Sequence, residues 1–115
     1  MEWHELNHSE QLTQLDQQSS TQPILIYKHS TRCGVSLRAK RVLESDWTEQ
    51  DSARVSPYYL DLLQHRDVSN AIAAHYGIHH ESPQVLLIKD GKCVYSASHH
   101  EIDVRDIRQA AQATA

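Results

Sequence analysis

Phenylalanine is absent from this sequence of 115 residues, and aromatic residues make up only 6% of it. A hydrophobic core must therefore be built mainly from Leu, Ile, Val and Ala. No apolar run approaches the roughly 20 residues that a membrane-spanning helix needs, so no transmembrane segment is expected. Glycine and proline are scarce, at three residues each, and no linker or internal repeat divides the chain. We therefore expect a single domain over residues 1–115.

An excess of positive charge is also lacking, because 11 Lys and Arg residues stand against 15 Asp and Glu residues. Proteins that bind duplex nucleic acid usually carry a basic excess, so no nucleic-acid partner is expected. Residues 1–5 are acidic and polar and lack the basic start and apolar stretch of a secretory signal. These features favour a cytoplasmic protein without a membrane partner.

Cysteine is rare as well, and the two residues present, Cys33 and Cys93, cannot form a disulfide framework. Residues 24–27 are apolar and β-branched, which predicts a buried strand. Residues 35–43 have the apolar spacing of an amphipathic helix. Cys33 is therefore predicted at a strand-to-helix turn, at or near the helix N-terminus.

This predicted position favours a reactive Cys33 over a cysteine that is merely buried. A helix N-terminus offers unpaired N–H groups and the positive end of the helix dipole, and Lys28, His29 and Arg32 can add positive charge to stabilise a thiolate. Ser36 replaces the second cysteine of a C-x-x-C motif, and its hydroxyl can donate a hydrogen bond to the thiolate. The site is therefore predicted to be monothiol and to need an outside thiol to release an adduct.

The remaining patterns predict the order α-β-α-β-α-β-β-α. They are a helix through Leu12 and Leu15, a loop over 45–54, a strand over 57–63, a helix capped by Asp67 or Ser69, strands over 84–88 and 93–96, and a helix capped by Asp103. The β-α-β order favours parallel pairing, and an Asp-Gly turn at residues 90–91 adds an antiparallel hairpin. The predicted fold class is α/β, thioredoxin-like, with a four-stranded mixed sheet flanked by helices.

Ser82 and Pro83 stand just before the third predicted strand. In thioredoxin-like folds a cis-proline at this place faces the reactive cysteine, and the preceding residue presents its backbone to an extended substrate. The sequence leaves the isomer of this bond open. Cys93 is expected to be structural, and the nine histidines lack the spacing of metal ligands, so no metal site is expected.

The run KHSTRC at residues 28–33, followed by x-x-Ser, resembles the signature of the YtxJ-type monothiol bacilliredoxin family. The resemblance continues through HESPQ at residues 80–84 and IKDGK at residues 88–92, and it spans roughly residues 6–110.

The resemblance implies a thioredoxin-like protein of the bacillithiol system. Bacillithiol, a cysteinyl thiol carrying a malate group, is the expected co-substrate, and no bound cofactor is expected. Cys33 would take bacillithiol from a client protein's mixed disulfide, and a second small thiol would regenerate Cys33. The residues expected to stabilise the thiol or bind substrate are Thr31, Arg32, Ser36, Ser82 and Pro83. Lys28, Arg32 or Arg38 would pair with the malate carboxylates.

Two alternatives stay open. The first is a glutaredoxin-like protein that uses another small thiol. The second is a non-catalytic thioredoxin-like stress or binding protein in which Cys33 is only a site of modification.

Overall fold

The computed structural model describes residues 1–113 of the chain. Five strands, five α-helices and one short 3₁₀ turn follow one another in this part of the protein. They are β1 (His4–Glu5), α1 (Gln11–Gln18), β2 (Ile24–His29), α2 (Gly34–Asp46), α3 (Glu49–Arg54), β3 (Ser56–Asp61), α4 (Arg66–Tyr76), β4 (Gln84–Lys89), β5 (Lys92–Ser98), the 3₁₀ turn (His99–Glu101) and α5 (Val104–Gln112).

The strands form one mixed sheet in the order β1-β3-β2-β4-β5. The first three of these are parallel, whereas β4 runs antiparallel to β2 and β5 antiparallel to β4. The α/β prediction with helices flanking a mixed sheet is confirmed, but the predicted count of four strands is wrong. The fifth strand, β1, has only two residues, both polar and exposed, and it exists through its pairing with β3. Such a segment has no periodicity from which it could be predicted.

The predicted loop over residues 45–54 is also wrong, because α2 continues to Asp46 and only two residues separate it from α3, which begins at Glu49. A capping box begins α3: the Thr48 side chain accepts a hydrogen bond from the Asp51 N–H, and the Asp51 carboxylate accepts one from the Thr48 N–H. The polar composition of this helix hides it from a search for apolar periodicity. The next helix, α4, begins at Arg66 with His65 as its N-cap, two residues before Asp67 and four before Ser69, the two predicted caps.

The sheet separates two hydrophobic clusters. Leu25 and Tyr27 of β2 face the cluster that contains residues of α2 and α5, and Ile24 and Ile26 face the cluster that contains residues of α1 and α4. All six residues of β2 are buried. The alternation of side chains along β2 therefore decides on which side of the sheet each of its polar residues lies.

Asp51 joins α3 to the last helix. Its carboxylate accepts hydrogen bonds from Arg108 at 2.7 and 2.8 Å. The hydrogen bond from Arg108 lowers the pKa of Asp51, against the opposing effect of burial.

We expect Asp51→Asn to lower the free energy of unfolding by about 1–3 kcal/mol at pH 7, because the partly buried contact with the Arg108 guanidinium loses its negative charge. The folded pKa is lowered, so this contribution is complete above the ordinary carboxyl pKa of about 4 and is lost as the pH falls through the folded value. Urea titrations at pH 7 and at acid pH measure the difference. Glu49→Gln, an exposed carboxylate in the same helix, is the control and should change little; an equal loss in both variants would contradict the assignment.

Candidate active site

Cys33 lies between the end of β2 and the first residue of α2, as predicted. Its backbone is extended, its carbonyl accepts a hydrogen bond from the Leu37 N–H at 3.0 Å, and its N–H donates to the Ser30 carbonyl at 3.1 Å. The side chain is half-buried and the thiol is free. The N-terminus of a 13-residue helix is therefore next to a partly accessible thiol.

Ser36 occupies the first turn of α2 and is completely buried. Its hydroxyl accepts a hydrogen bond from the Ser30 N–H at 3.0 Å and lies 2.5 Å from Nδ1 of His29. The Tyr27 hydroxyl donates to the Ser36 carbonyl at 2.7 Å. These contacts fasten the start of α2 to the end of β2, with Cys33 held between them.

The direction of the hydrogen bond between Ser36 and His29 depends on the tautomer of the ring. When Nδ1 of His29 carries the proton, the ring donates to Ser36, and the Ser36 hydroxyl hydrogen is free for another acceptor. The structure contains no hydrogen bond between Ser36 and the Cys33 sulfur among residues 1–113. Donation from Ser36 to the thiolate stays a prediction.

The layer beneath Cys33 is polar and uncharged. Burial and, secondly, the positive charge of Lys40 lower the pKa of His29, so its ring is neutral near pH 7. Burial raises the pKa of Tyr27 to about 12, against the opposing effect of the Ser36 side-chain hydroxyl, which lies 3.5 Å from the Tyr27 oxygen. His29 therefore supplies hydrogen bonding rather than the positive charge that the sequence suggested.

Lys28 is not beside the thiol, and its expected electrostatic role there is wrong. It is completely buried and shares the parity of Ile24 and Ile26, on the face of the sheet away from α2. Its Nζ donates to the Ser69 carbonyl and lies near Nδ1 of His80, both at 3.3 Å. Burial lowers its pKa to about 8. Proximity in sequence failed here because neighbouring residues of a strand point to opposite faces.

Thr31 and Arg32 are exposed in the turn that precedes Cys33. They line a hollow of about 360 Å³ together with Asp61, the last residue of β3, and Gln64. The turn is thus open to solvent on this side of the thiol.

Ser82 and Pro83 lie near the C-terminal end of β2, the end from which the chain continues to Cys33, because the next residue, Gln84, pairs with Lys28 on β2. The Ser82–Pro83 peptide bond is cis. The Pro83 carbonyl accepts a hydrogen bond from the His99 N–H at 3.0 Å. The Ser82 hydroxyl is buried and has no hydrogen-bond partner among residues 1–113.

Cys93 packs against the cluster that contains α1 and α4, across the sheet from α2. Its thiol donates to the Tyr95 carbonyl at 3.3 Å, and burial raises its pKa. Both features agree with the structural interpretation of Cys93, because a resolving cysteine must be ionisable and able to reach Cys33.

An aromatic support under α2 was not predicted from the sequence. Trp3 packs edge-on against Tyr27, with 5.7 Å between ring centroids, and its indole N–H donates to Glu44 at 3.0 Å. Lys40 lies over the rings of Trp3 and Tyr59. The only available signal was an isolated tryptophan near the N-terminus, which does not identify its partners.

Within the described part of the chain, no three His, Cys, Asp or Glu side chains are arranged to hold a metal ion. None of the helices there is both long enough and apolar enough to cross a membrane.

One free cysteine at a helix N-terminus, next to a strand that begins after a cis-proline, defines a monothiol protein of the thioredoxin class. Comparison with solved structures agrees. A protein with a thioredoxin fold superposes with a TM-score of 0.79 at 28% identity over 94% of this chain and 92% of that one. Thioredoxin from Malassezia sympodialis gives 0.74 at 14% identity over 96% and 88% of the two chains. Thioredoxin from Fasciola hepatica gives 0.69 at 20% identity over 94% and 95%.

Residues 4–107 match the family model of the monothiol bacilliredoxin BrxC, and the chain belongs to that family. The predictions of a thioredoxin-like fold and of a monothiol bacilliredoxin family are both confirmed. The protein is accordingly a thiol–disulfide oxidoreductase of thioredoxin-like fold.

We expect Ser36→Ala to lower the free energy of unfolding by about 1–3 kcal/mol, because the Ser30 N–H and the His29 ring lose a buried partner. Urea denaturation followed by circular dichroism measures the change. Ser45→Ala, an exposed position of the same helix, is the matched control. Equal small changes in both variants would show that the Ser36 hydroxyl does not hold the turn.

We expect Lys28→Met to raise the free energy of unfolding at pH 7 by about 1–3 kcal/mol, because it removes a buried charge that has no carboxylate partner among residues 1–113. The folded pKa of Lys28 is lowered, so the wild type should gain stability as the pH rises from about 8 towards 10.5, and the variant should not. Denaturation midpoints from pH 7 to 10.5 test this, with the exposed Lys92→Met as control. A parallel pH dependence in the two proteins would refute it.

Proposed function

We propose that the protein removes bacillithiol from protein mixed disulfides through Cys33, in the cytoplasm. The observation that carries the proposal is the monothiol geometry. Cys33 is half-exposed at the start of α2, Ser36 fills the place of a resolving cysteine, and Cys93 packs across the sheet. An adduct on Cys33 therefore has no internal thiol to resolve it, and the membership of the monothiol bacilliredoxin family points to bacillithiol as that adduct.

In the proposed reaction the Cys33 thiolate attacks the bacillithiol sulfur of the client's mixed disulfide. A new S–S bond joins Cys33 to bacillithiol, the old S–S bond breaks, and the client cysteine leaves as a thiolate that takes a proton from water. A second low-molecular-weight thiol then attacks the Cys33 adduct, and the resulting small disulfide carries away the oxidising equivalents. Each step exchanges one disulfide for another and needs no bound cofactor.

In this proposal the groups around Cys33 have different roles, which follow from where each of them lies. Thr31 and Arg32, exposed in the turn, contact the client near its modified cysteine. Ser82 and Pro83 offer backbone to an extended segment of the client, and Ser36 stabilises the thiol. The partners are bacillithiolated client proteins and a small-molecule thiol.

We expect wild-type protein mixed with a bacillithiolated single-cysteine peptide to gain one bacillithiol while the peptide is freed. Intact-mass spectrometry follows both species over time. Cys33→Ser should reduce the transfer to the uncatalysed background, because its hydroxyl is not a nucleophile towards sulfur at neutral pH. Cys93→Ala is the matched control and should transfer at the wild-type rate.

Each other outcome supports a different assignment. Transfer that survives in Cys33→Ser, or that is lost in Cys93→Ala, would contradict the Cys33 mechanism. An adduct from a glutathionylated peptide only would identify a glutaredoxin-like protein that uses another small thiol. A folded wild-type protein that takes no adduct from either peptide would favour a binding or stress role without catalysis.

A further inference from the structure

A groove of about 630 Å³ runs beside the candidate nucleophile, between α2 and the 3₁₀ turn. It starts at Gly34, the residue that follows Cys33. Its volume falls within the range of small-molecule sites, about 300–1,000 Å³. We call this hollow the α2 groove. One of its walls is formed by Val35, Arg38 and Val42, and the other by His99, His100 and Ile102.

The α2 groove is locally cationic in a protein of net charge −4. Arg38 makes no ion pair and no hydrogen bond with any of residues 1–113, so its guanidinium is available to a ligand. The two histidines add ring N–H donors even when they are neutral. No carboxylate is among the residues that line the groove. An Arg fork with flanking N–H donors is suited to a carboxylate, which it can bind through two parallel hydrogen bonds.

The other two hollows at this end of the molecule are less suited to an anion. The hollow that contains Arg32 also contains Asp61. The hollow on the far side of the 3₁₀ turn contains Glu81 and Glu101. Lys28, a further cation that the sequence brings near Cys33, is completely buried on the opposite side of the sheet. Among the three cations considered from the sequence, charge and access together select Arg38.

The walls also fit the apolar part of a small molecule. Val35 and Val42 of α2 are 39% and 44% exposed, which leaves apolar surface along the groove. On the opposite wall, the His99 N–H donates to the Pro83 carbonyl at 3.0 Å, which ties this wall to the segment before β4. A thiol compound lying here would have its anionic end at Arg38 and its sulfur towards Cys33.

We infer that the α2 groove binds the carboxylate-bearing part of the low-molecular-weight thiol, with Arg38 as the residue that selects for negative charge. The inference rests on the proposed function and assigns the two partners of the exchange to different sides of Cys33. The small thiol occupies the α2 groove, and the client approaches over the exposed turn that contains Thr31 and Arg32.

The first test measures how fast small disulfides of different charge add to Cys33. The probes are bacillithiol disulfide and glutathione disulfide as anions, hydroxyethyl disulfide as the neutral compound and cystamine as the cation. Intact mass gives the rate of adduct formation. Arg38→Ala should slow the two anionic probes about tenfold, the loss of one charge-assisted hydrogen bond, and leave the neutral probe unchanged. The preference for anions should also weaken as salt is added, because the guanidinium is exposed.

Arg41→Ala is the control, since Arg41 is an exposed cation of the same helix that does not line the groove. It should retain the wild-type preference for anionic probes. Three results would overturn the inference: an equal loss with neutral and anionic probes in Arg38→Ala, the same loss in Arg41→Ala, or a wild-type protein without preference for anions. Any of these can occur while bacillithiol transfer through Cys33 persists, so the proposed function would stand.

A second test does not require the thiol to react. Cys33→Ser, labelled with ¹⁵N, is titrated with S-methyl bacillithiol, and amide shifts are followed by NMR. We expect saturable shifts at Val35, Arg38 and Ile102 that disappear in the Cys33→Ser, Arg38→Ala double variant. Absence of these shifts overturns the groove assignment whatever the reactivity of Cys33. If these shifts occur but the wild-type protein transfers no bacillithiol, the binding site stands and the proposed reaction is refuted.

Discussion

The buried Ser36 hydroxyl is the contact on which the rest of the site depends. It receives the Ser30 N–H and meets the His29 ring, so one oxygen fastens the first turn of α2 to the end of the central strand. Cys33 lies on the short connection between these two points and has little freedom to move. Removal of a buried partner leaves polar groups unsatisfied, which is why such a contact constrains geometry more than its net stabilisation suggests. The position of the thiol is therefore set by a group that does not touch it.

Because side chains alternate along β2, its polar residues lie on opposite faces of the sheet and have different roles. Tyr27 and His29 face α2 and form the uncharged layer under Cys33. Lys28, between them in sequence, points to α4 and contributes nothing to the thiol. Because the strand is buried on both faces, each of these groups must find its hydrogen-bond partner on its own side. Neither Lys28 nor the neutral His29 therefore brings positive charge to Cys33.

Much of this could be predicted from the sequence. The apolar run of β2 and the helical spacing after Cys33 give the strand-to-helix turn, and the Asp-Gly pair gives the β4–β5 hairpin. β1 escaped prediction because two polar residues carry no period, and α3 because its stability comes from a capping box and a contact with Arg108 rather than from an apolar stripe. Within the site, the amino-acid sequence shows which groups are near Cys33 along the chain but not which face of the sheet each one occupies. That is why Lys28 was misplaced and the contact between His29 and Ser36 was missed.

The same packing explains why the monothiol motif is more than a dithiol motif that lacks one sulfur. Ser36 is fully enclosed, and both of its neighbours require a strong hydrogen-bonding partner there. A thiol at this position would be a weak acceptor for the Ser30 N–H, and burial would hold it in the protonated form, which is a poor nucleophile. The interior of α2 is thus organised around an oxygen, while the exposed side of the same turn presents the only thiol on this face of the sheet in the described chain. In the proposed reaction, regeneration of Cys33 must then come from outside, and we propose the cationic groove along α2 as the approach of an anionic thiol.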